Sequence, residues 1–125
     1  MIIYDPKIAI LLIAFNRSNI KQVFDRIKVV KPRRLYIAVD GSTNATQRKI
    51  SKETTFIVSH IDWECQVFKL YQEKNQGYDK HCFDSISWFF EQEPEGVILE
   101  DDCVPSISFF GFCTTLLEKF RHDER

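Results

Sequence analysis

The sequence has no C-x-x-C pair and no Cys/His cluster with zinc-finger spacing, which excludes the common structural zinc modules. Its four cysteines, Cys65, Cys82, Cys103 and Cys113, fit reduced and mostly buried thiols better than a disulfide framework. A secretory signal is missing too: the start, Met1-Ile2-Ile3-Tyr4-Asp5-Pro6, lacks a basic segment. The expected compartment is therefore the cytoplasm, where the sequons at Asn16 and Asn44 are chance matches. The longest apolar run, Ile8 to Phe15, is far shorter than the roughly 20 residues that span a bilayer. A formal net charge of -1 argues against nucleic acid as a partner. Repeats, low-complexity tracts and linkers are all lacking, so residues 1–125 read as a single domain, long enough to bury a core.

What is present is an ordinary soluble composition, 44% hydrophobic and 28% charged, with one excess: eleven Phe. That many rings imply large core payloads or an aromatic-lined partner surface. The apolar pattern alternates between two periods. Ile8 to Phe15 has the length and continuity of a strand covered on both faces. Asn16 and Ser18 then offer capping oxygens to a helix with Ile20, Val23, Phe24, Ile27 and Val30 at helical spacing, stopped by Pro32. Leu35 to Val39 is a second strand, ended by Asp40-Gly41-Ser42. Residues 46–61 give a weaker helical signal, diluted by Thr54-Thr55. Val67 to Tyr71 is the third strand, and Asn75-Gln76-Gly77 a loop. A helix follows, with Phe83, Ile86, Phe89 and Phe90 expected on its buried side. Pro94-Glu95-Gly96 turns the chain into the strand Val97-Ile98-Leu99. Ser106 is placed to cap a last helix striped by Phe109, Cys113, Leu116, Leu117 and Phe120. The order β-α-β-α-β-α-β-α predicts a three-layer α/β/α fold around a mostly parallel, Rossmann-like sheet.

In such sheets ligands bind outside the carboxyl ends of the strands, near the point where strand order reverses. Three strand ends carry residues with chemical reach: Phe15-Asn16-Arg17, Asp40-Gly41 and Glu100-Asp101-Asp102. Parallel strands put them on one edge. Three adjacent carboxylates repel, and a bound Mg2+ or Mn2+ would relieve that repulsion. The plainer account is that acids ahead of a helix favour its dipole, which explains one acid well and three poorly. Arg17, near a helix start, is suited to a phosphate or is simply a solvated surface residue. Asp40 suits a base or ribose, or is only a turn residue. Lys80 and His81, at the start of the third helix, are within reach of a ligand or belong to the surface. His60 and His122 read as structural or solvated.

Together, the segments Ile8–Arg17, Leu35–Ser42, Asn75-Gln76-Gly77 and Ile98–Asp102 resemble the GT-A glycosyltransferases. They are similar to the family 2 type and to bacterial sugar transferases sometimes labelled hemolytic-protein-like. Leu99 to Ser106, with Phe109-Phe110, also resembles the acidic motif of N-acetylglucosaminyltransferase I enzymes, where Glu-Asp-Asp replaces Asp-x-Asp. The likeness runs from about Lys7 to the end of the chain, and its specificity lies in the order and spacing of the motifs. It implies that the fold is a GT-A nucleotide-binding half. Phe15, Asn16 and Arg17 would line the nucleotide pocket, with Arg17 near the diphosphate. Asp40 would contact the nucleobase, Glu100 and Asp101 would lie near ribose and donor sugar, and Asp102 would ligate Mn2+ or Mg2+. The stretch after Gly77 would wall the site, with Lys80 or His81 as contacts.

The expected function is thus transfer of a sugar from a nucleotide-diphosphate donor such as a UDP-sugar, with metal help. The acceptor, whether glycan, lipid or protein, is left open. GT-A enzymes have further strands that bind the acceptor and, in inverting members, supply a base, so no catalytic base is named here. A phosphoacceptor receiver domain shares the length and the alternation, but carries its acidic pair after the first strand. The remaining alternative is a non-catalytic α/β interaction or nucleotide-binding module whose Phe-rich helices dock on a partner. An open sheet edge also makes a homo-oligomer an expectation.

Overall fold

The computed structural model describes residues 3–18 and 20–123. Four strands alternate with four helices: β1 (Ile10–Ala14), α1 (Lys21–Val30), β2 (Arg34–Val39), α2 (Ala45–Val58), β3 (Gln66–Tyr71), α3 (Tyr78–Gln92), β4 (Val97–Glu100) and α4 (Ile107–Phe120). The strands form one sheet in the order β3-β2-β1-β4, and every pairing is parallel. Every residue of β1 is buried, as its unbroken apolar run requires of a central strand.

The sheet grows from β1 through β2 to β3, then returns to add β4 on the other side of β1. Crossovers of one hand put helices on opposite faces when the direction of growth reverses. Accordingly α1, α2 and α4 cover one face, where Phe24, Ile27, Val58 and Phe110 pack on Ile10, Leu12, Ile37 and Leu99. On the other face α3 stands alone, its Phe89 packed on Ala9, Leu11, Ile13, Tyr36 and Ala38. The reversal makes the carboxyl ends of β1 and β4 a switch point.

Three local expectations are corrected. Asn16 and Ser18 do not cap α1; its cap position is Ile20, with no side-chain bond. Asn16 instead takes a left-handed backbone, φ 60°, a conformation Asn tolerates better than most residues, and turns the chain out of β1. The expected apolar side of α3 is only half buried: Phe89, with Ile86 packed beside it, faces the sheet together with His81 and Ser85, while Phe83 is 71% exposed and Phe90 45%. Ser106 stands at the cap of α4, but its hydroxyl meets Ser108 rather than the helix backbone. The weakly signalled α2 is a full helix, capped by Asn44, which accepts from the Gln47 N–H.

Candidate functional site

The carboxyl end of β1 is gripped from both sides. The Asp40 N–H donates to the Ala14 carbonyl, and the Asp101 N–H to that of Ile13, each at 3.0 Å. These bonds extend the two ladders by one residue and fix both acids beside the turn at Asn16. The amide of Asn16 then donates to the Asp40 carbonyl at 2.7 Å, drawing the β1 and β2 exits together.

Arg17 reaches the acidic run. Its Nε donates to Asp101 at 2.9 Å, and its Nη2 donates to Glu100 at 3.0 Å and Asp102 at 2.9 Å. The three acids have different surroundings. The Asp101 side chain is wholly buried, and its second oxygen accepts from the Phe15 N–H at 2.8 Å. Burial pushes its pKa up, against the pull of that N–H and of Arg17. Glu100 is partly exposed and also accepts from the Tyr78 hydroxyl at 2.7 Å. Asp102 is about half exposed. Burial works against the charge on Arg17, but the three acids outweigh it and raise its pKa. Three carboxylates facing one guanidinium leave negative charge to spare.

Aromatic rings frame the cluster. Phe15 stacks on Tyr78, centroids 4.7 Å apart, and the Arg17 guanidinium lies 4.8 Å from the Phe15 centroid. Beside the acids runs a cleft of about 350 Å³ lined by Ser18, Gln22, Asp101, Asp102 and Val104. Another groove, between α1 and α2 and lined by Phe24, Phe56 and His60 among others, shares none of these residues.

Asp40 is buried and fully engaged. It accepts from the N–H of Gly41 and Gln76, both at 2.8 Å, and from the Asn75 amide at 3.2 Å. It staples the β2 exit to the loop after β3. Gly41 makes that approach possible, since a Cβ there would lie 2.2 Å from the Lys74 backbone. Lys80 stands apart from the rim, with its ammonium on Asp84 one turn along the exposed side of α3.

The structure therefore brings Phe15, Asn16, Arg17, Asp40, Glu100, Asp101 and Asp102 to one edge, without Lys80. Tyr78 and Cys103 join them unforeseen. Only the closeness of Tyr78 to the Asn75-Gln76-Gly77 loop hinted at its place, and Cys103 was legible solely as the neighbour of the acids. Carboxylate oxygens of Glu100 and Asp102 and the sulfur of Cys103 all lie within 4.8 Å of one another. Two hard oxygen donors with room left for other ligands suit Mg2+ or Mn2+; the thiol, which lies 3.4 Å from Asp102 and whose pKa that contact raises, does not add to such a shell.

The fold and rim define an α/β protein with a charged, aromatic-framed edge at its topological switch point. No family model, curated protein or solved structure matches the chain. Among the described residues no helix is long and apolar enough to cross a membrane.

Proposed function

We propose that this rim binds the diphosphate of a nucleotide-sugar donor through a divalent cation, and that the chain is the donor-binding domain of a glycosyltransferase. The observation that supports this best is the meeting of Arg17 with Glu100, Asp101 and Asp102 at the β1–β4 switch point. Asp102, the most exposed of the acids, is the direct ligand, with Glu100 beside it. A cation held there supplies charge neutralisation for the departing diphosphate. Arg17 engages the acids through Nε and Nη2, which leaves Nη1 to turn toward a phosphate oxygen. Asp101 fixes that arginine rather than meeting the donor, because both its oxygens are occupied inside the protein. Asp40 likewise acts by shaping the loop at Gln76. The half-exposed ring of Tyr78 and the partly buried ring of Phe15 provide an apolar wall.

The test is a thermal-shift panel of nucleoside diphosphates with and without Mn2+. A binder melts higher by mass action, and only with the metal. Asp102→Ala should abolish the metal-dependent binding measured by calorimetry while the melting temperature of the free protein holds. Equal metal-dependent affinity in the variant overturns the assignment.

A second reading, a non-catalytic docking module, is favoured by one observation: Phe83, Phe90, Phe112 and Phe120 are all at least 44% exposed on α3 and α4. Absence of any nucleotide-dependent stabilisation selects it.

A further inference from the structure

Among the described residues, His81 is wholly buried, and neither of its ring nitrogens has a hydrogen-bond partner. The Ser85 hydroxyl, one turn along α3, and the side-chain amide oxygen of Asn16 are orphaned in the same way. A neutral imidazole here strands both a donor and an acceptor, a cost that an apolar side chain would avoid. The ring nevertheless has a definite contact. It meets Phe15 edge-on, centroids 5.3 Å apart and planes at 90°. Phe15 in turn carries Tyr78 on a stacked face and Arg17 at 4.8 Å, and its N–H holds Asp101. His81 is thus the buried foot of a column whose upper members grip the acidic rim.

We propose that His81 is a proton-sensitive positioning residue: neutral, it supports the Phe15 ring that seats Arg17 and Tyr78 against the acids, and once protonated it abandons that contact. This inference rests on the rim being the donor site. The charged groups around the ring show why a proton disturbs it. Burial opposes protonation most strongly, while Asp40 at the β2 exit, the carbonyls of Ala38 and Ala14, and Asp84 on its own helix favour it. From β1 the ring is faced by the Ala14 carbonyl, and just past that strand by the uncharged Phe15 ring, with the cation Arg17 beyond. Burial prevails, so His81 titrates below the usual histidine range. An imidazolium has two N–H groups to satisfy, and the Asp40 carboxylate is already held by Gly41, Asn75 and Gln76. The Ala38 and Ala14 carbonyls lie beside the ring but form no hydrogen bond with it as it is seated. To bring its N–H groups onto these acceptors, the carboxylate or water, the ring must shift from its edge-on seat under Phe15.

The experiment compares wild type with His81→Phe, which keeps a ring and removes the titration. Binding of uridine diphosphate with Mn2+ is measured by calorimetry from pH 7.5 to 5, with far-UV circular dichroism confirming the fold. The nucleotide's own phosphate titration is common to both proteins. Wild-type affinity should fall about tenfold further than that of His81→Phe for each pH unit below the His81 midpoint. Equal slopes overturn the proposal. In parallel, NMR follows the His81 ring, the Phe15 ring and the Arg17 Nε–H of the wild type alone, so that a variant that fails to fold leaves the question decidable. The three signals should move with one midpoint. Stationary Phe15 and Arg17 signals through the His81 titration, or a His81 that takes no proton while the protein stays folded, sink the idea. Wild type that binds no nucleotide at any pH defeats the donor reading instead, and the NMR titration then judges His81 separately.

Discussion

The two ends of the sheet both carry arginine–carboxylate contacts, yet they are built on opposite terms. At the amino end Arg34 donates to Glu93 at 2.7 and 2.9 Å, and the buried Tyr36 hydroxyl completes the carboxylate at 2.7 Å. One cation meets one anion, and the Glu93 side chain is only 7% exposed. At the carboxyl end one arginine faces three carboxylates, two of them open to solvent. The first arrangement is closed in charge and in hydrogen bonds, so it offers nothing to a ligand. The second has excess negative charge, an adjoining cleft and an arginine with donors to spare. Balanced and buried pairs read as structure; unbalanced and half-exposed ones read as candidate binding sites.

The contrast breaks most visibly when one acid is cut from each end. Glu93→Ala strands the Arg34 guanidinium and the Tyr36 hydroxyl, and should cost about 2–3 kcal/mol, less than the roughly 3–5 kcal/mol of a fully buried broken pair because Arg34 keeps some contact with water. Asp102→Ala should stay within about 0.5 kcal/mol of wild type, since its pair with Arg17 is exposed. Urea unfolding midpoints of the two variants measure the difference. Equal losses would mean that the carboxyl-end acids are structural after all.

Acid sharpens the same comparison by a smaller amount. Burial pushes the Glu93 pKa up, but the bonds from Arg34 and Tyr36 prevail and hold it below the usual carboxylate range. A carboxylate with a depressed folded pKa stabilises above its unfolded value of about 4.3, and that contribution fades as pH falls through the folded value. Glu93→Gln should therefore be clearly less stable than wild type at pH 7, with the gap closing toward pH 3. A gap that is constant across this range would show that the carboxylate's charge contributes little.

How much of this was legible beforehand depended on what each residue answers to. The succession of strands and helices, the parallel sheet and the shared edge follow from apolar period and chain alternation, whereas the spatial order of the strands does not. The turn at Asn16 was not legible. Its oxygen suggested a helix cap, but the pull of the Asp40 carbonyl on its amide takes it into a left-handed turn instead. On the buried face of α3 the apolar pattern finds Phe89 and Ile86 but not His81 and Ser85, because phenylalanine outweighs histidine and serine on any hydrophobic scale. The small residues over which α3 lies, Ala9 and Ala38, accept the His81–Ser85–Phe89 line, and the flanking phenylalanines are turned outward. The engagement of Asp40 and Asp101 also escaped the sequence, since saturation of a carboxylate depends on backbone N–H groups that carry no side-chain signature.

The smallest expected effect concerns Lys80, the residue whose sequence position suggested a ligand contact. Its side chain is 62% exposed and held 2.7 Å from Asp84 at i,i+4 spacing, a pair worth about 0.3–0.5 kcal/mol. If the rim alone binds the diphosphate, Lys80→Ala should shift the unfolding midpoint by no more than that pair. It should also leave metal-dependent nucleotide affinity unchanged by calorimetry, while Arg17→Gln weakens it. The reverse result, with Lys80 needed and Arg17 dispensable, would move the ligand off the β1–β4 switch point and onto the outer side of α3. The amino and carboxyl ends would then differ in solvent exposure alone.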